Sequence, residues 1–298
     1  MILVVVACAI RRPDVVVADG AATLPLLQPT TDRSRWYAAA DAPGLAAGLF
    51  FLDTGYAVSA CDDDFVAALG LTSHGNVRMR GTVGVVSAGI VELPTLWIGP
   101  HRVDGLRCAV RDLGTSSSVV DPPEIDVFGV LGMDVWSHFA VEVTEDAWVV
   151  RPSTGDGDHR LYGEGRVGRR ARLEVDLDGV RRRLVLDTGS DTTLVRNLPL
   201  PSAPVTLLLA GSGDGSRKPT TARRWTVEAS VAGENFGIIR PVEVAAVPVV
   251  GLDLIGRRAW TWDFPARLWS LSAGLGPKPA PAFGAPAGLH FASPEATR

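Results

Sequence analysis

Reagents for several common chemistries are scarce in this chain of 298 residues. Histidine occurs five times, at positions 74, 101, 138, 159 and 290, and no two stand at the spacing that brings imidazoles to one metal ion. That scatter argues against a zinc hydrolase, and no metal or other cofactor is expected. No Gly-x-Ser-x-Gly elbow presents a serine nucleophile. The glycine-rich stretch 211–218 is not followed by the Gly-Lys-Ser/Thr of a phosphate-binding loop. Charge of neither sign dominates: 29 Lys and Arg against 33 Asp and Glu leave a net charge of −4. The basic clusters Arg169-Arg170 and Arg181-Arg182-Arg183 lack interleaved aromatics, so they read as solvated strand edges, and nucleic acid is not an expected partner.

What the chain does have is hydrophobic material for one large or two medium cores, 46% of residues, and two copies of one triplet. Asp53-Thr54-Gly55 follows the apolar run Leu49-Phe50-Phe51-Leu52, and Asp187-Thr188-Gly189 follows Leu184-Val185-Leu186. Both aspartates therefore stand where a buried strand ends. Each triplet has a downstream companion, Val130-Leu131-Gly132-Met133-Asp134 and Val249-Val250-Gly251-Leu252-Asp253. The triplets lie 134 positions apart and the companion glycines 119 apart, in the same order. After each companion comes a pair of closing strands, 141–143 with 147–150 and 262–264 with 268–271. The pattern is that of an internal duplication.

Secondary structure reads as mostly strand. Leu173, Val175 and Leu177 alternate with polar residues, Asp178-Gly179 forms a tight turn, and residues 180–186 return into the second triplet. A less regular version, 36–40 with 45–52, precedes the first triplet. Asp62-Asp63-Asp64 caps a short helix through Leu69 that Gly70 stops. Residues 151–158 are rich in turn formers and have nothing apolar to bury, which marks a linker. The expected division is an N-terminal segment 1–32, a first lobe 33–152, a linker 153–159, a second lobe 160–273 and a Pro/Ala/Gly-rich tail 274–298 without a core of its own.

On the triplets and the Gly-x-Asp companions, over residues 45–272, the chain resembles the retropepsin-like and pepsin-like aspartic proteases, with two retropepsin-type lobes fused in one polypeptide. The resemblance implies an all-β, bilobal aspartic-protease fold: two homologous β-barrel-like lobes with an active-site cleft between them, functional as a monomer. It implies catalysis by Asp53 and Asp187, which share one proton and activate a water toward a peptide bond of a polypeptide substrate; such dyads are the standard example of mutually perturbed carboxyls. Thr54 and Thr188 then hold the loops in register across the lobe interface, while Gly55 and Gly189 let backbone N–H groups approach the carboxylates. Ser190 fits the family pattern, its hydroxyl within reach of a carboxylate. Tyr56 departs from it, either packing outward or crowding the substrate channel. Short helices are expected at 135–139 and 254–259, and substrate-covering hairpins at 78–89 and 207–217.

Two functions follow: an aspartic endopeptidase, or a catalytically silent relative that binds peptides in the same cleft. Location is open in the same way. The apolar N-terminal stretch covers nine residues, against the ~20 of a membrane-spanning helix, and Arg11 and Arg12 follow it rather than precede it. Val5-Val6-Ala7-Cys8 resembles a bacterial lipoprotein processing box. With a start farther upstream, Cys8 would be a lipid anchor and Cys61 with Cys108 a disulfide in an oxidising compartment; otherwise the protein is cytoplasmic with three free thiols.

Overall fold

The computed structural model describes residues 12–26, 36–42, 44, 48–80, 85–113, 127–144, 146–163, 170–210, 217–244 and 247–272. Cys8 and the 274–298 tail lie outside them, as do the tips of both expected covering hairpins, 81–84 and 211–216. Among the described residues, no helix is long and apolar enough to cross a membrane.

Strands dominate, because the apolar segments are short, alternating and punctuated by turn residues. The hairpin before the second triplet forms as its sequence dictates. Strands Ala171–Leu177 and Val180–Leu186 pair antiparallel, and the two-residue turn has positive φ at both Asp178 (49°) and Gly179 (81°). That is the mirror-image turn that matches strand twist, and Asp and Gly are among the residues that tolerate it. Tyr37–Ala40 and Gly48–Leu52 make the corresponding hairpin before the first triplet.

Around each triplet the same arrangement recurs. Gly48–Leu52 runs parallel to Val127–Leu131, and Val180–Leu186 runs parallel to Val249–Val250. The aspartate that ends each strand is tied to its parallel neighbour, Asp53 N donating to Leu131 O and Asp187 N to Val250 O, both at 3.1 Å. These strands sit in an eight-stranded sheet in the first half and a ten-stranded sheet in the second. A third sheet of six strands joins the halves. Its central pair, Ala140–Val143 and Trp260–Asp263, brings one closing strand from each half side by side, with Val141 opposite Trp262.

Strand alternation divides the interior. Phe50, Leu52, Leu184 and Leu186 point into one large core that spans both halves. Phe51 and Val185, one residue out of phase, point to the opposite face, into two smaller clusters. Indole rings form the seam of the large core: Trp136, Trp148, Trp262, Trp260 and Trp269 follow one another at centroid distances of 5.0 to 6.2 Å. The edge-on members of such a chain gain about 0.5–1.5 kcal/mol per pair beyond burial.

Residues 14–25, assigned by sequence to a separate N-terminal segment, carry two strands of the folded body. Asp14–Val16 pairs with His101–Arg111, and Ala22–Pro25 pairs with Ala147–Arg151. Cys61 and Cys108 are fully buried and joined as a disulfide, their Cα atoms 5.4 Å apart. Closing a 47-residue span in the unfolded chain is worth about 4 kcal/mol on the chain-entropy account.

Candidate active site

The two triplets meet where the halves meet. Thr54 and Thr188 are fully buried and make four reciprocal hydrogen bonds. Thr54 N donates to Thr188 Oγ1 and Thr188 N to Thr54 Oγ1, both at 3.1 Å. Each hydroxyl in turn donates to the strand before the other triplet, Thr54 Oγ1 to Leu186 O at 2.8 Å and Thr188 Oγ1 to Leu52 O at 2.7 Å. The pattern uses a side-chain hydroxyl at both positions, since a hydroxyl can accept one bond and donate another.

This interlock sets the carboxyls against each other. A Cβ built on Gly55 would lie 2.2 Å from Asp187 Cγ, and one on Gly189 would lie 2.1 Å from Asp53 Oδ2. Each triplet glycine is thus the floor for the aspartate of the opposite triplet, and no side chain fits there. Gly55 N also donates to its own Asp53 Oδ1 at 2.7 Å, and Gly189 N to Asp187 Oδ1 at 3.0 Å.

The two loops are not equivalent. Tyr56 N adds a second backbone donor to Asp53 Oδ1 at 3.1 Å, whereas Ser190 N turns to the main-chain oxygen of Asp187 at 3.4 Å. Asp53 thereby accepts two backbone bonds on its carboxylate and Asp187 one. The Asp187 carboxyl is held well above the usual carboxylate range, first by burial, then by the negative charge of Asp53 and by the hydrogen bond between the two side chains. The Gly189 N–H bond and, to a lesser extent, Arg170 pull it the other way.

One sequence expectation changes at this point, and one left open is narrowed. The Ser190 hydroxyl donates to Thr192 O at 2.7 Å rather than to a carboxylate, because the loop after the triplet turns its own carbonyl back onto it. The Tyr56 side chain is half-buried and packs on the cluster of Tyr37, Phe51, Leu113 and Val130. Burial and the charge of Asp53 push its phenol up to about 12, so it stays neutral.

Beneath each loop stands a matched support that three-letter motifs do not reveal. Ser59 donates to Asp134 through both its N–H (2.8 Å) and its hydroxyl (2.7 Å), and Gly132 N donates to Ser59 Oγ. Thr193 does the same for Asp253 (2.9 and 2.7 Å), with Gly251 N on Thr193 Oγ1. Burial pushes both carboxyls up to about 6 against the pull of these bonds. Ser59 and Thr193 each follow their triplet aspartate by six positions, a repeat signal present in the sequence. The helices begin at Met133 and Leu252, not at 135 and 254 as expected, because Gly132 and Gly251 take the extended N-cap conformation and the Gly-x-Asp segment is itself the first turn. Met133 N and Leu252 N then hold the loop carbonyls of Tyr56 and Ser190, both at 2.8 Å.

Elsewhere among the described residues, Asp62, Asp63 and Asp64 converge closely enough to share a cation. Their grouping is accounted for by the helix Asp63–Ala68, which Asp62 caps.

Compared with known sequences, residues 42–135 match a family described as aspartyl protease. No curated protein matches the chain.

Proposed function

Because residues 42–135 match a family described as aspartyl protease and the fold is all-β, consistent with such an enzyme, we propose that the chain is an aspartic endopeptidase. In this reading Asp53 and Asp187 form one dyad within a single polypeptide. The observation that carries it is the crossed contact of Gly55 with Asp187 and Gly189 with Asp53, which needs both triplets at one point.

The asymmetry of the loops assigns the roles. Asp53, with two backbone N–H donors, is the ionised member. Asp187, half-buried and facing that charge, carries the shared proton. Asp53 takes a proton from a water held between the carboxyls while the water oxygen attacks the peptide carbonyl carbon. The Asp187 proton is hydrogen-bonded to the carbonyl oxygen as it gains charge. Collapse of the tetrahedral adduct breaks the C–N bond, and the proton taken up by Asp53 passes to the departing amine. No covalent enzyme intermediate forms.

An extended polypeptide is the substrate class that this reading implies, since a strand can be held between two β lobes through backbone hydrogen bonds. The silent-relative reading rests on Tyr56. Its side chain packs back on the cluster and its N–H serves Asp53, so that observation favours turnover.

The test is cleavage of an unfolded protein substrate between about pH 3 and 7. Asp53→Asn and Asp187→Asn are each expected to abolish it, and a statine-type inhibitor to block it. Absence of cleavage throughout that range, or cutting by either variant, overturns the reading.

A further inference from the structure

The two smaller clusters match residue by residue until one position. Phe51, Ala60 and Val130 of the first half stand where Val185, Leu194 and Val249 stand in the second, each at the same distance from its triplet or its Gly-x-Asp companion. Ala60 lies opposite Ala109 on a parallel strand, and Leu194 lies opposite Val242 in the same way. Two residues farther along those partner strands come Arg111 and Val244. Val244 is buried among Val185, Leu194 and Val249, its N–H on Val195 O at 2.9 Å. Its counterpart in the first half is a cation.

Val110 packs on the large core, so strand alternation turns Arg111 to the face of Phe51, Ala60 and Leu113. It is 8% exposed and makes no hydrogen bond or ion pair with a described residue. Asp62, its neighbour across the strand pair, gives its carboxylate to Leu113 N at 2.8 Å and Asp64 N at 3.2 Å instead. No nitrogen of Arg111 is both sealed and unpartnered, so the guanidinium still reaches solvent. Its charge acts on the Tyr56 phenol, as do those of Asp53 and Asp187, which sets it one side chain away from the dyad. A cation taken into an apolar cluster without a partner is costly, and the second half fills the same place with valine at no such cost.

We propose that Arg111 is a specificity-determining residue that binds a carboxylate of the polypeptide substrate, from an Asp or Glu side chain or from a chain end, on the first-half side of the dyad. The inference rests on the endopeptidase reading, which is what brings a peptide to this place. The planar fork of arginine offers a carboxylate two parallel donors. It also offsets the repulsion that an ionised Asp53 exerts on an acidic substrate. The second half, with Val244 at the matching position, makes no such demand, so the preference falls on one side of the cleaved bond only.

Binding is read apart from turnover, in the full chain carrying Asp187→Asn, which keeps the Asp53 charge and is expected not to cut. Short amidated apolar peptides with Glu or Gln at each position in turn are titrated by fluorescence anisotropy. The same peptides without either residue are compared as free acid and as amide. The expected result is about tenfold tighter binding of Glu over Gln at one position, or of the acid over the amide, and the pair that responds identifies the source of the carboxylate. With Arg111→Val or Arg111→Gln added, the ratio is expected to fall to about one while the melting temperature stays at or above that of Asp187→Asn alone. Equal binding within both pairs, or a ratio that survives both substitutions, overturns the proposal and leaves the endopeptidase reading standing. A melting temperature lowered in both variants marks Arg111 as a structural cation and overturns it as well. Failure of the parent to cut any substrate overturns the endopeptidase reading whatever the ratio.

Discussion

At the residue scale, the site is governed by what glycine lacks. Gly189→Ala would set a methyl group 2.1 Å from Asp53 Oδ2, and no flexible neighbour can yield, since the clashing atom belongs to the carboxylate of the proposed dyad. Displacement of a reacting group by about 1 Å costs ~10²-fold, so cleavage is expected to fall by at least that much while circular dichroism stays that of the parent. Tyr56 gives the opposite expectation. Its contribution to the dyad comes from the backbone N–H, so Tyr56→Ser is expected to keep most activity. It removes a half-buried ring from the Tyr37 and Phe51 cluster, and urea unfolding should register a loss of about 2 kcal/mol. A collapse of turnover in Tyr56→Ser with an unchanged fold would sink this account. The residues alone mark position 56 as unusual and cannot show which part of the tyrosine acts, because a backbone donor carries no side-chain signature.

At the level of elements, the supports under the two loops matter most. Each is a hydroxyl residue six positions past the triplet aspartate, a Gly N-cap and a carboxyl in the first turn of a short helix. The duplicated Gly-x-Asp was legible as a pattern, and the triplet strands with it. The helix start differs by two residues from the expectation because a glycine before an apolar residue reads as a breaker, whereas here its extended backbone opens the helix. The carboxyls themselves make a pH prediction. Asp134 and Asp253 are raised to about 6 in the folded protein, so between their unfolded value near 4 and 6 the folded state holds more protons than the unfolded one. Stability is then greatest below the unfolded pKa and declines as pH rises toward 6, by up to a few kcal/mol in all, since each tenfold difference in proton affinity between the two states is worth about 1.4 kcal/mol. Asp253→Asn, which mimics the neutral form, should flatten that part of the melting-temperature profile. A profile equally steep in the variant would show that the slope arises elsewhere.

For the whole molecule, the question is what keeps two halves in one register over a site formed between them. The triplet interlock, the shared six-stranded sheet and the indole seam all cross the junction, and none could be read from composition or spacing, since each depends on residues more than a hundred positions apart coming together. The connecting segment was legible only as a linker of turn formers. In the structure it is strapped down: Asp263, 1% exposed, accepts from Ser153 Oγ on both carboxylate oxygens, and from Thr154 N, Gly155 N and Ala266 N. One carboxylate on a closing strand of the second half thus fixes the exit from the first. Asp263→Ala leaves one hydroxyl and three N–H groups without their acceptor, and hydrogen bonds to a charged group are worth ~1.5–3 kcal/mol each. A loss of about 3 kcal/mol or more in urea unfolding is expected, even if water recovers part of the set. The exposed backbone at 153–158 should also change in kind. In the parent, cleavage there by an added protease requires local opening against those bonds; in Asp263→Ala it should be cut first, releasing fragments that divide near residue 155. Equal resistance of the two proteins at that segment would mean that the halves are aligned by the triplets and the shared sheet alone, and that the strap contributes nothing to their register.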